Sequence, residues 1–405
     1  MIKPEEVGFS SQRLDRIRVH LQRYIDAGKV TGTLILVARH GQIAYFEPQG
    51  HLELERRRPM QRDTIFRIYS MTKPITCVAL MMLYEHGLFQ LDDPVHKYIP
   101  AWQNLRVYVS GNHPMFLTKP TERPMTIRDL LTHTSGLTYG FMERTNVDAA
   151  YRQLGIADMD KSDYTLRDMV GQLAELPLEF SPGTRWNYSV STDVVGYLVE
   201  VISGQPFDAY LRDQIFEPLG MHDTSFLISD DRLSRFAHCY VRQFDGSLAL
   251  LDAPETSEFR QGSFYSGGGG LLSTAEDYFR FTSMLLNRGE LDGVRLLSRK
   301  TLELMTKNHL PGGQDLTALV QAGMFSEVAY NGVGFGLGFS VMQDPTRAQV
   351  MGSPGEYAWG GFAGTAFWVD PVEDLIVIFM TQLAPSSAYP VRRELRVLTY
   401  GALID

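Results

Sequence analysis

Residues that cross-link a fold or bind metals are scarce in this chain. Among 405 residues there are two cysteines, Cys77 and Cys239, too few and too far apart for a disulfide framework or a zinc spacing, and both are expected as buried thiols. The ten histidines stand singly, without an HExxH or HxH cluster, so neither a catalytic metal nor another cofactor is expected. No apolar run approaches the roughly 18 residues of a membrane span. The first residues, Met1-Ile2-Lys3-Pro4-Glu5-Glu6-Val7, lack the apolar segment of a secretory signal. A soluble, cytoplasmic protein with no membrane partner is the expectation. Positive charge is not in excess either: 38 Lys plus Arg against 47 Asp plus Glu leave a net charge of −9. An acidic chain repels a phosphate backbone, which excludes nucleic acid as an expected partner. There is no internal repeat, and no G-x-S-x-G elbow of the kind that carries the nucleophile in α/β-hydrolases.

The remaining composition is that of an ordinary globular protein, 44% apolar and 21% charged. Leu14, Ile17, Leu21, Tyr24 and Ile25 form one helical stripe, with Ser10 or Ser11 as N-cap and Gly28 as the stop. Residues 33–38 and 42–46 flank His40-Gly41 as a hairpin, and residues 364–369 and 375–381 form a second one. Val391, Leu395, Leu398 and Ala402 mark a final helix. Between these ends, helices are predicted over 74–86, 126–133, 165–175, 192–203, 207–215, 275–288 and 299–307. Hairpins rather than alternating βα units favour an antiparallel sheet. The expected fold is α/β of the α+β type, with an antiparallel sheet flanked by terminal helices and a mainly helical lobe. Residues 1–69 and 334–405 are assigned to the first lobe and 70–333 to the second, with part of 289–333 open to either. The stretches 102–124 and 310–333 lack periodicity and read as long loops, of the kind that form lids or pocket walls.

Three local patterns carry chemistry. In Ser70-Met71-Thr72-Lys73-Pro74 the proline is tolerated only in a first helical turn, so Ser70 sits at a helix start with Lys73 on the same face. The apolar run from Ile75 to Leu83 makes that helix buried. A serine nucleophile needs an amine near its hydroxyl and a positive helix end near the developing oxyanion. The second pattern, Ser181-Pro182-Gly183-Thr184-Arg185-Trp186-Asn187-Tyr188, is a turn-rich loop that delivers a phenol, whose pKa of about 10 a nearby ammonium would lower toward the range in which it acts as a base at neutral pH. The third, Trp359-Gly360-Gly361-Phe362, opens a strand with consecutive glycines, which let a backbone N–H approach a ligand. Taken singly, each has a plain structural reading: a Ser cap with a surface Lys, a packed aromatic, and a turn.

Together and in this order, Ser70-Met71-Thr72-Lys73, Tyr188-Ser189-Val190 and Trp359-Gly360-Gly361 resemble the serine β-lactamase and penicillin-binding-protein superfamily of class C-like layout, and within it the family VIII carboxylesterases. Stretches such as Leu130-Leu131-Thr132-His133-Thr134-Ser135-Gly136-Leu137 and Gly267-Gly268-Gly269-Gly270-Leu271 extend the resemblance over nearly the whole chain. It implies Ser70 as acylated nucleophile, Lys73 and Tyr188 as the pair that moves its proton, and the backbone N–H groups of Ser70 and Phe362 as oxyanion hole. Trp359, Gly360 and Gly361 are the expected substrate-binding residues. Trp359 stands where β-lactamases have the lysine of Lys-Thr-Gly, and Val190 where many have asparagine, so a carboxylate and an acylamide lose their partners. A small to medium uncharged ester is therefore the expected substrate. Acyl transfer to an alcohol, or weak β-lactamase or D-amino-acid peptidase activity, are the alternatives. Oligomeric state is left open. Three features are assigned structural roles: His133 as a satisfied histidine, the Gly267–Gly270 run as a tight turn, and Arg392, Arg393 and Arg396 as a solvated face of the last helix.

Overall fold

The computed structural model describes residues 1–157, 164–318 and 331–405. Helix α1 (Ser11–Asp26) starts where the Ser10 hydroxyl accepts from the Arg13 N–H, and it buries Leu14, Ile17, Leu21 and Tyr24. Strands β1 (Gly32–Arg39) and β2 (Gln42–Gly50) follow as the expected hairpin. Helices α2 (Thr72–Glu85), α3 (Ser191–Ser203) and α4 (Ala275–Leu286) belong to the middle of the chain. The C-terminal part supplies β3 (Val333–Phe335), β4 (Ser340–Met342), β5 (Tyr357–Gly360), β6 (Ala366–Asp370), β7 (Leu375–Met380) and helix α5 (Val391–Tyr400).

These seven strands form one sheet in the order β3-β4-β5-β6-β7-β1-β2, antiparallel throughout. Pairing of β1 with β7, Leu34 opposite Met380 through Arg39 opposite Leu375, joins the two ends of the chain. Every residue of β1 is buried, so both faces of the sheet are covered and strand alternation divides its side chains between two cores. Ile35, Val37, Val377 and Phe379 point to the side closed by α1 and α5. Leu34, Leu36, Ile376 and Ile378 join the larger core that contains α2, α3 and α4. Twelve consecutive residues of α2, Thr72 to Leu83, are buried, as its apolar run requires. Among the described residues no helix is long and apolar enough to cross a membrane.

Two expectations are corrected. The stretch 102–124 contains a hairpin, Arg106–Asn112 with Met115–Pro120, and the cavity described below is lined by none of it. Its strands are exposed on most positions of both faces, so no alternation was imprinted on the sequence. Of the stretch 310–333, residues 319–330 lie outside the described residues, and Val333 opens β3. The arginines of α5 are not a solvated face. Arg396 is buried, pairs with Glu356 at 2.6 Å and lies over the Trp368 ring, while Arg392 is half-buried against the β5–β6 turn, and of the three only Arg393 is exposed. Long aliphatic stems let arginines cover apolar surface while the heads find acceptors. A helix over Asn146–Leu154, opened by a capping box at Thr145, adds to those expected from periodicity.

Candidate active site

A single 3₁₀ turn, Tyr69–Met71, precedes α2 and carries Ser70. Tyr69 holds a left-handed φ of 42°, a conformation that costs a non-glycine residue about 1–3 kcal/mol and concentrates at functional sites. Its ring is wedged edge-on between Phe259 and Phe362. Lys73 follows in the first turn of α2, 2% exposed, with Nζ 3.3 Å from Ser70 Oγ. From the loop before α3, the Tyr188 hydroxyl reaches Ser70 Oγ at 2.5 Å. The Lys73 ammonium lies 4.4 Å from the centre of the Tyr188 ring. Two of its donors are thereby directed: one to Ser70, the other to the Gly268 carbonyl at 2.6 Å. The three residues expected from the sequence meet at one oxygen.

Gly361 brings the second half of the site to the same place. A Cβ there would sit 2.5 Å from the Ile68 carbonyl, so only glycine lets the end of β5 lie on the backbone two residues before Ser70. Its N–H donates to the Thr365 carbonyl, and the Arg392 guanidinium ties Gly361 and Thr365 together through their carbonyls at 2.8 Å each. This tight turn presents Phe362, whose N–H donates to no backbone carbonyl among the described residues. Gly360 leaves room for the same guanidinium, which a Cβ would approach within 2.7 Å. Trp359 turns its ring to Tyr188 at 5.6 Å and to Phe335 at 5.3 Å between centroids, extending an aromatic wall.

Ser70 opens into a cavity of about 840 Å³. Tyr139, Phe141, Tyr151, Ile156, Trp359 and Phe362 give it a mainly apolar lining, and Phe141 stacks on Tyr139 with centroids 4.6 Å apart. A pocket with apolar walls and a few converging polar groups is the usual form of a small-molecule site. His133 is buried beneath it, against the Tyr188 and Trp186 rings and 3.3 Å from Ser189 Oγ. Burial first, then the charge of Lys73, hold its pKa well below the usual imidazole value.

Sequence reasoning missed three residues around Lys73, namely Gly268, Asp193 and Tyr139. The Gly267–Gly270 run does form a turn, but Gly268 supplies an acceptor to Lys73. Asp193, fully buried in the first turn of α3, accepts from the Gly268 N–H and the Ser266 hydroxyl, and Tyr139 donates to its other oxygen. An acid set among Val190, Val194 and Val195 was the available signal. Both cysteines are free and buried. Among the described residues one group has ligand atoms spaced for a metal, Glu53, Glu55 and His238; it is not part of the Ser70 cavity, and Glu53 is already paired with Arg58 at 2.5 Å.

An antiparallel sheet with a buried Ser-x-x-Lys helix, a tyrosine loop and a glycine turn converging on one hydroxyl is the frame of the serine β-lactamase fold, and the chain belongs to the beta-lactamase family, whose model matches residues 17–401. It is similar to Protein Rv1367c of Mycobacterium tuberculosis, at 36% identity over 92% of this chain and 90% of that one. It is also similar to Esterase EstB of Burkholderia gladioli, at 34% identity over 88% of this chain and 87% of the relative. Among solved structures, "EstCE1, a hydrolase with promiscuous acyltransferase activity" superimposes with a TM-score of 0.80 at 27% identity, over 96% and 99% of the two chains.

Proposed function

We propose that the protein is a carboxylesterase of the family VIII type, hydrolysing small to medium uncharged acyl esters through an acyl-enzyme on Ser70. The observation that carries this reading is the convergence of the Tyr188 hydroxyl and the Lys73 ammonium on Ser70 Oγ, at 2.5 and 3.3 Å, at the wall of an apolar cavity. In acylation the Ser70 proton passes to the Tyr188–Lys73 pair as Oγ bonds to the ester carbonyl carbon. The carbonyl oxygen takes the negative charge and is held by the N–H groups of Ser70 and Phe362. As the tetrahedral centre collapses, the C–O bond to the alcohol breaks and the pair returns the proton to the departing alkoxide. Water then repeats the sequence and releases the acid. The similarity to EstB supports an ester substrate, and Trp359 in place of a lysine supports an uncharged one.

Acyl transfer is the second reading, because the same acyl-enzyme meets an alcohol in place of water, and the likeness to EstCE1 supports it. Hydrolysis of p-nitrophenyl acetate and butyrate by wild type and Ser70→Ala is the test. The substitution is expected to lower kcat/KM by about 10³-fold or more, and an unaffected rate overturns the assignment. Addition of an alcohol acceptor and a separate chromogenic cephalosporin assay divide esterase from acyltransferase and from lactamase or peptidase.

A further inference from the structure

Lys73 is a buried ammonium, and among the described residues its directed contacts are a carbonyl, a hydroxyl and two ring faces, with no carboxylate in ion-pair reach. Burying a cation without a counter-charge is costly. The carboxylate whose charge does bear on it is Asp193, which is itself completely buried. The two are joined by one peptide unit. Lys73 Nζ donates to the Gly268 carbonyl at 2.6 Å, and the Gly268 N–H donates to Asp193 Oδ1 at 2.9 Å. The Ser266 hydroxyl donates to the same oxygen at 2.5 Å, and the Tyr139 hydroxyl to Oδ2 at 3.4 Å. A Cβ at Gly268 would stand 2.6 Å from both Asp193 Oδ2 and the Tyr139 hydroxyl, so the turn lies directly on the carboxylate.

Resting on the serine-hydrolase reading, we propose that Asp193 is the positioning residue for Lys73: its carboxylate grips the Ser266–Gly268 turn, presses the Gly268 carbonyl onto the ammonium, and supplies the counter-charge one peptide away. A direct salt bridge would draw Nζ off Ser70. An indirect one satisfies the charge and leaves an N–H for the nucleophile. The start of α3 suits the role, because the helix dipole favours an anion there. The other titratable groups facing Lys73 are Cys77 on its own helix, His133 from the turn after residue 131, Tyr139, and Tyr188 from the loop before α3. Burial pushes the Cys77 thiol up to about 12 and keeps His133 neutral. Asp193 is the one carboxyl of the set. Burial raises its carboxyl, and Lys73, Ser266, Gly268 and Tyr139, in that order, draw it back.

Two substitutions separate charge from geometry. Asp193→Asn keeps an acceptor oxygen and removes the charge, whereas Gly268→Ala keeps the charge and pushes the turn away. Lys73 is followed by NMR of protein labelled with 13C at lysine Cε, and turnover by ester hydrolysis against pH. An anion favours the ammonium over the amine and disfavours a phenolate, so its loss moves both groups the same way. In Asp193→Asn, Lys73 is expected to titrate about one pH unit lower. The acid limb of the kcat profile moves down with it, kcat falls about tenfold, and KM changes little. In Gly268→Ala, kcat falls while Lys73 titrates near its wild-type position. A wild-type titration and profile in Asp193→Asn overturns the proposal, and so does wild-type kcat in Gly268→Ala, which decides alone if the first variant does not fold. The NMR reading needs no turnover. A moved Lys73 titration in a protein whose ester hydrolysis is indifferent to Ser70→Ala would keep the positioning role and discard the reaction.

Discussion

Six residues apart, Arg67 and Lys73 are both cations buried to within 2% of full enclosure, and they are satisfied in opposite ways. Arg67 has its carboxylate in contact, Asp252 Oδ2 at 2.5 Å from Nε, with the Ala237 carbonyl at 2.6 Å from Nη1, Gln382 beside it, and the Phe236 ring 3.8 Å beneath the guanidinium. Among the described residues Lys73 has no contacting carboxylate, and one of its N–H groups points at a serine hydroxyl. A cation whose donors are all spent on fixed acceptors fastens loops together. One left partly unspent at the wall of a cavity is available for chemistry, at some cost in stability.

Substitution of each cation by methionine separates the two roles. Lys73→Met is expected to lower kcat/KM by about 10³-fold, the scale for losing a group that activates the nucleophile, with a urea midpoint at or above wild type. Arg67→Met should lose about 3–5 kcal/mol, because Asp252 is left without its partner, while kcat of the remaining folded enzyme stays near wild type. The reverse pattern in either measurement would void the distinction.

A smaller effect comes from His133, buried against the Tyr188 and Trp186 rings. Its folded pKa lies well below 6.5, so below that pH the unfolded chain binds a proton that the folded chain refuses. The stability it contributes is complete above about pH 6.5 and is lost as pH falls, at up to about 1.4 kcal/mol per pH unit. Unfolding by urea at pH 7.0 and 5.5 should show this slope, and His133→Asn should reduce it by about one proton's worth. Burial also lowers His238 and His309, so part of the slope persists in the variant. An unchanged slope would place the proton elsewhere.

The smallest expected change is in the aromatic enclosure of the cavity. Phe141 stacks on Tyr139, whose ring lies 5.3 Å from Lys73 Nζ. Phe141→Ala removes a stacking pair worth about 0.5–1.5 kcal/mol, so KM for butyrate and longer esters should rise about two- to tenfold with kcat nearly constant. A fall in kcat instead would mean that Phe141 helps to hold Lys73 through Tyr139.

Much of the site could be read before folding because its parts are local. Ser70 and Lys73 share a face by helical spacing, Pro74 fixes where that helix starts, and Gly361 reports a close approach through its missing side chain. The β1–β2 and β6–β7 hairpins and the apolar stripe of α1 were legible for the same reason. Asp193, Gly268 and Tyr139 were not, because each acts on a residue far away in sequence and none has a periodic or spaced signature. The arginines of α5 misled for a related reason. Charge on a helix suggests solvent until a strand such as β5 is found packed beneath it, as Gly360 is beneath Arg392.

Which atoms are available was settled along the chain: a hydroxyl, an amine and a phenol in a fixed order, an apolar helix to bury the first two, and a tryptophan beside consecutive glycines. How those atoms are aimed and enclosed depends on contacts between distant parts of the chain. Strand pairing between the two ends of the chain lays the glycine turn beside Ser70, and packing of the middle sets Asp193 one peptide from Lys73. Electrostatic environment depends on distance through space and on exclusion of water, and neither is written in the spacing of residues along a chain.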